Sequence, residues 1–303
     1  NLEFFGAMLI QIGIFMILAT SFNLIIGYGG LMSIAHPIFF ALGAYGSALL
    51  VQATGVPVPV GILFGVALAT IASIALALPS LRVSGDYLVI ASIGFQLGLL
   101  QIIKNSDWSG GPGGLTNIPP MFATTGAAAI WRYVAIVAIA AIATILIVRW
   151  LVSGDYGRAI TAMRDDEEAF KGLGHDAVSL KLALFAFGSG LAGLAGGLYG
   201  HYFLFVTPEQ FEILYSAAML TMVVVGGIRT VWGPALGAVL LQFMPQAINF
   251  VKLPSSVTGP LQGILFTGLV LVFLFLRPHG LLGRAPGAQA VAEEDDPIEA
   301  AGR

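Results

Sequence analysis

A charge-free stretch at the start of the chain most constrains its fold. Between Glu3 and Arg82 the sequence contains no Asp, Glu, Lys or Arg. A helix needs about 20 apolar residues to cross a bilayer, so this stretch has room for three crossings. The chain of 303 residues is 57% hydrophobic and 10% charged, with a mean hydropathy of +0.92. A soluble globular domain does not have these values, and they predict an all-α integral membrane protein.

Apolar runs continue along most of the chain and are separated by short polar, Gly-rich or Pro-containing breaks. The pattern predicts a polytopic bundle of about eight to ten transmembrane helices, some of them broken or re-entrant. Nine crossings fit the sequence best. They lie near residues 5–26, 36–53, 58–80, 85–103, 131–151, 181–204, 213–229, 234–251 and 259–276.

The basic residues predict the orientation of these crossings. Ten of the thirteen Lys and Arg residues fall on the side that carries the segment 153–181, and the positive-inside rule makes that side cytoplasmic. The C-terminus is then cytoplasmic and Asn1 lies outside. No cleavable signal is recognisable at the start of the sequence, so we expect a further helix upstream of Asn1.

The segment 153–181, here called the polar loop, is the longest polar segment between two apolar runs. The acids at Asp165–Glu167 favour the start of a short helix, and Lys171 follows the last of them at the spacing of a favourable ion pair. Gly174 suits the end of that helix, and Tyr156–Met163 can form another. We expect Gly157 and Gly174 to permit tight turns. Two short helices on one loop indicate a docking surface, and a solvated loop without a partner is the alternative.

A nine-residue pattern occurs twice, at Gly29–Pro37 and at Gly226–Pro234. Each copy starts with Gly-Gly and an aliphatic residue, has Ser or Thr at its fifth position and ends with Pro. Interrupted helices at equivalent positions of two halves mark the translocation path in many transporters, whereas chance recurrence in a chain with 39 glycines is the alternative. Our candidates for the path are Gly29, Gly30, Ser33, Asp86, Gln96, Gly226 and Gly227.

Asp86 and Gln96 are the polar side chains among these candidates. An ionisable residue within a membrane is a functional hypothesis by default, but Asp86 at the start of the fourth crossing is equally placed to cap its helix. Gln96 is suited to hydrogen-bond a polar solute or a neighbouring helix.

The polar loop and the apolar run after it resemble a known family over the segment GRAITAMRDDEEAFKGLGHDAVSLKLALFAFGSGLAGLAGGLYG. The family comprises the M-type permease subunits of ABC importers for branched-chain and other hydrophobic amino acids. The stretches NLIIGYGGLMS and GGPGGLTNIP resemble further parts of it, and the resemblance extends from about Phe15 to Leu282. Lys171, Gly172 and His175 depart from residues common in the family, which leaves the substrate open.

The resemblance implies that a coupling helix around Asp166–Gly174 inserts into a groove of a cytoplasmic ATPase. The residues implied in this coupling are Gly157, Arg158, Arg164, Asp166, Glu167, Ala169, Leu173 and Gly174. The outer loop 104–130 is implied to dock a solute-binding protein, with an ordinary surface loop as the alternative. The residues implied there are Trp108, Gly110, Gly111 and Gly114.

The resemblance also implies the partners of the chain. These are a second, H-type permease, two P-loop ATPases that hold ATP and Mg, a periplasmic or lipid-anchored binding protein, and membrane lipid of the bacterial inner membrane. Residues 1–285 would form the transmembrane permease domain and 286–303 a disordered acidic tail. The phosphate-binding motif of P-loop ATPases does not occur in the sequence. We therefore expect no catalytic residue, metal or cofactor in this chain, and no nucleic acid partner.

Alternative functions differ in solute or in energy source. Relatives in the same family would carry urea, short amides, or aromatic or other organic acids. An ion-coupled secondary transporter or a channel would be a different class. The first three crossings contain no acid, which disfavours a proton relay.

Overall fold

The computed structural model of the chain describes residues 2–80, 86–122, 127–249, 268 and 280–283. These residues form helices and a single isolated β-bridge, between Leu115 and Val206. The helices are α1 Leu2–Asn23, α2 His36–Thr54, α3 Val58–Ser80, α4 Asp86–Asn105, α5 Ala127–Val152, α6 Asp155–Asp165, α7 Glu167–Gly172, α8 Ala177–Phe203, α9 Ile213–Gly226 and α10 Gly233–Asn249.

Six of these helices are long and apolar enough to cross a membrane: α1 with the turn that follows it, α2, α3, α4, α5 and α8. The shorter apolar helices α9 and α10 correspond to the seventh and eighth predicted crossings. The prediction of an all-α polytopic membrane protein is therefore confirmed. The ninth predicted crossing, 259–276, lies outside the described residues except for Gly268.

The helix α8 starts four residues earlier than predicted. Its N-cap is Asp176, whose carboxylate accepts hydrogen bonds from the backbone N–H groups of Val178 (3.0 Å) and Ser179 (3.2 Å). This cap places Lys181 inside the helix, where the sequence had predicted the boundary between the polar loop and the crossing.

Small residues bring α8 close to α2 and α3. A β-carbon added at Gly43 would collide with the backbone of Gly193, and one added at Gly196 would collide with the carbonyl of Phe40. Helices in lipid associate largely through such close packing, because burial of apolar surface gives little driving force there. The Gly-rich stretch of α8 thus serves helix packing.

The described helices of the bundle are interrupted at three places. After α1 a π-helical turn at Leu24–Tyr28 leads into the non-helical residues 29–35, and α2 then starts with Pro37 in its first turn. Residues 204–212 between α8 and α9 contain the bridge residue Val206 and a 3₁₀ turn, Pro208–Phe211. The third interruption, residues 227–232, separates α9 from α10.

The two copies of the Gly-Gly pattern coincide with the first and third interruptions. They lie at the same end of the bundle, because Asn23 bonds the second copy. Its Oδ1 accepts from the backbone N–H of Arg229 (3.1 Å), and its Nδ2 donates to the carbonyl of Thr230 (3.0 Å).

Candidate functional site: the polar loop and the helix breaks

The polar loop contains two short helices, as predicted, but their boundary differs from the prediction. Asp165 ends α6 and does not open the next helix. Asp166 is the N-cap of α7, and its carboxylate accepts from the backbone N–H of Ala169 at 2.9 Å. The preference of Asp for N-cap positions explains why the helix starts here.

The glycines of the polar loop have different roles from one another. Gly174 has a φ of +84°, which ends α7 in the left-handed region. Gly157 was expected to permit a tight turn, and that expectation is wrong, because this residue lies within α6. A β-carbon there would collide with the backbone of Val152. The tight turn is made one residue before α6, at Gly154, whose φ is +78°.

Two lysines hold the carboxylate of Glu167. Lys171, one helical turn away, lies 2.9 Å from it, as its spacing predicts. Lys181 on α8 lies 2.7 Å from both carboxylate oxygens, and its side chain is only 6% exposed. Partial burial raises the pKa of Glu167, but hydrogen bonds from Lys181 and Lys171 outweigh this effect and hold the pKa below its ordinary value. No sequence pattern indicates the ion pair between Glu167 and Lys181, because these residues are fourteen positions apart.

The exposed residues of the polar loop form a mixed surface of apolar, basic and acidic side chains. Leu173 at the end of α7 is 78% exposed, and Ala169 and Arg158 are also exposed. Phe170 points inward and stacks on the ring of His175, with 4.9 Å between ring centroids. A rigid knob with an exposed leucine is suited to insertion into a groove of a partner protein.

Arg164 lies apart from this surface. The methylene groups of its side chain contact Gly30, at the first helix break. The structure thus brings together one residue predicted for coupling and one predicted for the translocation path.

Gln96 joins the first two helix breaks in the interior of the bundle. Its side chain is fully buried on α4. Its Oε1 accepts from the backbone N–H of Ile38 at the start of α2 (2.9 Å), and its Nε2 donates to the carbonyl of Phe211 (2.7 Å). Gln96 is therefore engaged in helix–helix bonding, which was one of the two roles that its sequence position allowed.

Two serines satisfy the backbone of Ile34 within the first break. Ser92 accepts a hydrogen bond from its N–H at 2.9 Å, and Ser216 donates one to its carbonyl at 2.5 Å. Buried backbone groups without such partners are costly in an apolar interior. The sequence does not indicate the roles of Ser92 and Ser216, because no local pattern around a serine in an apolar helix predicts a distant backbone partner.

An apolar cavity of about 410 Å³ lies beside the first break. Its volume is within the range of roughly 300–1,000 Å³ that is common for small-molecule sites. Ser33 is the one predicted path residue in its lining. The lining residues are Phe22, Ile26, Met32, Ser33, Ile34, Val89, Ile213, Leu214, Ser216, Ala217 and Leu220.

The remaining path candidates are not among the described residues that line the cavity. Gly29 packs against Leu184, and Gly226 and Gly227 form the close turn between α9 and α10. Gly227 has a φ of +118°, which only glycine adopts readily. Asp86 is the first residue of α4, and its side chain lies outside the described part of the structure.

The outer loop is held against the ends of α2 and α8. Leu115 and Val206 exchange backbone hydrogen bonds of 2.8 and 3.1 Å, and Gln52 donates to the carbonyl of Thr116 at 2.8 Å. His201 donates through Nδ1 to the carbonyl of Pro119 at 2.7 Å.

The residues predicted to dock a binding protein lie in the first part of this loop. Trp108 is 53% exposed. Gly110, Gly111 and Gly114 have φ values of +77°, +59° and +78°. A side chain at Gly114 would collide with the carbonyl of Val206, so these glycines shape the loop and fix Trp108 on its surface.

Comparisons with known proteins agree on one family. A family model described as branched-chain amino acid transport system / permease component matches residues 4–274. The high-affinity branched-chain amino acid transport system permease protein LivM of Escherichia coli K12 is 29% identical over 294 residues, which covers 89% of this chain and 68% of the relative. LivM of Salmonella typhimurium is 28% identical, with 91% and 72% covered.

A more distant relative is named for the import of a different solute. The autoinducer 2 import system permease protein LsrC of Yersinia pseudotuberculosis is 25% identical over 202 residues, covering 64% of this chain and 54% of the relative. No solved structure matches the chain.

Proposed function

This chain belongs to the family of branched-chain amino acid transport system permease components, and from that premise we propose that it is the M-type permease subunit of an ATP-driven importer for branched-chain or related hydrophobic amino acids. The subunit itself carries no ATPase site. It lies in the bacterial inner membrane, with the polar loop and the C-terminus in the cytoplasm.

The cavity beside the first helix break is the observation that supports this function best. Its lining is aliphatic and aromatic apart from Ser33 and Ser216, so it suits an aliphatic side chain. Non-helical backbone in a helical membrane protein is tolerated where it is buried in protein or lines a cavity, and broken helices surround the solute in many transporters.

The polar loop supplies the link to an energy source. Its exposed Leu173 and Ala169 would insert into a groove of one ATPase, and Asp166, Glu167 and Gly174 would keep the knob rigid. Closure of two ATPases on ATP and Mg would then move the paired H-type and M-type permeases between outward and inward states. The outer loop around Trp108 would receive the solute-binding protein.

Membership of the family does not determine which solute is transported, but the cavity lining distinguishes between the candidate solutes. Urea or a short amide would need a lining rich in hydrogen-bonding groups. A branched-chain amino acid needs polar partners for its ammonium and carboxylate groups alone, and its aliphatic side chain needs a hydrophobic surface, which the cavity offers. The name of LsrC indicates that a related permease takes part in the import of autoinducer 2.

An ion-coupled secondary transporter fits the cavity less well. Proton relays in membranes use ionisable side chains, and neither a carboxylate nor a histidine is among the cavity-lining residues. The energy for uptake would therefore come from ATP on partner subunits.

The test is uptake of labelled leucine, isoleucine, valine and urea by cells that carry the complete transport system. Ala217→Phe places a large side chain in the cavity, and we expect it to reduce leucine uptake at least tenfold. Ala143→Phe is the matched control, because Ala143 is exposed on α5 and does not line the cavity. Membrane content of both variants is measured by immunoblot.

Leucine uptake that depends on ATP and is lost in Ala217→Phe alone would support the proposal. Uptake of urea in place of leucine would contradict the proposed solute. Undiminished leucine uptake by Ala217→Phe would contradict the role of the cavity.

A further inference from the structure

The contact between Arg164 and Gly30 connects the polar loop directly to the first helix break. A β-carbon added at Gly30 would lie 2.9 Å from Cδ of Arg164 and 3.5 Å from its Cβ, and would collide with its Cγ. The atoms that touch Gly30 are therefore the methylenes of the arginine, and its guanidinium group is not among them.

Gly30 is a sensitive point in the break. Its φ of +65° lies in the left-handed region, which strongly favours glycine. It follows the π-helical turn and precedes Met32 by two residues. Met32 lines the cavity and is 54% exposed. A displacement of Gly30 would thus reach the cavity wall through two residues of chain.

Arg164 is itself held firmly on the polar loop. Its side chain is 18% exposed, and its Nε donates to Asp165 at 3.1 Å. Ile160 and Met163, on the inner face of the same helix, are buried. The ion pair between Glu167 and Lys181 attaches the following helix to α8. The stem of Arg164 therefore moves with the loop.

We propose that Arg164 is a positioning residue that transmits movement of the polar loop to the helix break by the contact of its methylene stem with Gly30. The inference rests on the proposed function, since it takes the loop to be moved by partner ATPases. It assigns Arg164 an internal role, whereas a contact of its guanidinium with the ATPase would be an external one. Packed elements with two discrete arrangements transmit such movements.

Substitutions at Arg164 distinguish the internal role from the external one. Arg164→Lys keeps Cβ, Cγ and Cδ, whereas Arg164→Ala removes both methylenes that lie nearest to Gly30. In proteoliposomes with the complete importer, we expect solute transported per ATP hydrolysed to fall at least tenfold in Arg164→Ala and to stay within about twofold in Arg164→Lys. Each variant is scored per assembled complex, measured by co-purification of the partner subunits.

A second measurement reports the conformation of the first helix break. The chain has no cysteine, so Met32→Cys introduces one reporter, whose maleimide labelling rate is measured on this chain with and without a non-hydrolysable ATP analogue. We expect a nucleotide-dependent change in labelling rate with Arg164, a similar change with Arg164→Lys, and loss of the change with Arg164→Ala. A merely structural role of Arg164 would lower the amount of complex and leave this response intact in the complex that remains.

A double-substitution test addresses the contact itself. Gly30→Ala and Arg164→Ala act on the same contact, so we expect the double variant to couple no worse than the more impaired single variant. Independent, multiplying losses would overturn the proposal. Equal uncoupling by Arg164→Lys and Arg164→Ala would also overturn it and favour the external role. Should the wild-type importer fail to transport any amino acid, the proposed function fails first, whereas the labelling response still tests the contact.

Discussion

The polar loop and the helix breaks solve the same problem of unpaired polar groups in opposite ways. In the polar loop the partners are mostly local: Asp166 bonds Ala169, three residues away, and Glu167 pairs with Lys171, four residues away. In the breaks several of the partners are remote. Ser216 bonds the carbonyl of Ile34 from 182 positions along the chain.

The difference follows from the surroundings of each region. Exposed backbone groups in the polar loop are able to bond water, so local caps suffice to fix its helices. Inside the apolar bundle an unpaired backbone group costs several kcal/mol in hydrocarbon. The breaks therefore depend on side chains that other helices supply, and the comparison predicts that remote bonds are more costly to remove than local ones.

The largest effect is expected for Gln96→Leu. This substitution leaves the carbonyl of Phe211 without its partner, which costs about 1–3 kcal/mol for a buried group. It also removes the shorter of the two hydrogen bonds of the Ile38 N–H, which keeps a 3.2 Å bond to the carbonyl of Ala35. We expect the free energy of unfolding to fall by roughly 2–4 kcal/mol, with loss of uptake. Thermal unfolding in detergent measures the stability. Gln101→Leu is the control, because Gln101 is exposed on the same helix, and an equal loss there would refute the role of Gln96.

An intermediate effect is expected for Glu167→Gln. The variant leaves the nearly buried ammonium group of Lys181 without its counter-ion. Breaking a fully buried pair costs about 3–5 kcal/mol, and the partial exposure of Glu167 reduces this to about 2 kcal/mol. Glu168→Gln is the matched control, because Glu168 is exposed on the same helix. We expect uptake to be lost only in Glu167→Gln, and similar stability of the two variants would argue against the anchor on α8.

The smallest effect is expected from pH. Hydrogen bonds hold the pKa of Glu167 in the folded protein below its ordinary value of 4.5. A lowered folded-state pKa adds stability that is fully present above the unfolded-state pKa and is lost as pH falls through the folded-state pKa. The stability difference between wild type and Glu167→Gln should therefore be constant from pH 8 to about 5.5 and shrink below pH 4.5.

The measurement for this prediction is the unfolding temperature of both proteins in detergent between pH 8 and pH 4. The Glu168→Gln variant, measured in parallel, corrects for other groups that titrate in the same range. A difference that disappears already between pH 7 and pH 6 would show that a group other than Glu167 governs the loop.

Sequence analysis succeeded where one helix or one turn contains its own signals. The apolar runs predicted eight described helices to within a few residues, and Gly174 and Lys171 behave as their spacing indicates. The expectation for Gly157 was wrong, because glycine is needed both in tight turns and where two backbone segments approach closely. Gly157 lies within α6 and approaches the backbone of Val152. Nothing in the composition of residues 204–212 reveals that the carbonyl of Phe211 bonds Gln96 inside the bundle.

By itself the sequence determined that the protein is a helical membrane protein, which family it resembles, and where its polar loop lies. These properties depend on hydropathy, charge and short-range spacing, which are written along the chain. The tertiary structure alone decided that Gln96, Ser92 and Ser216 support the broken helices, that Lys181 anchors the polar loop and that Arg164 touches Gly30. Those contacts join residues that are not neighbours in sequence, and the exclusion of water from the bundle makes the bonds of Gln96, Ser92 and Ser216 necessary.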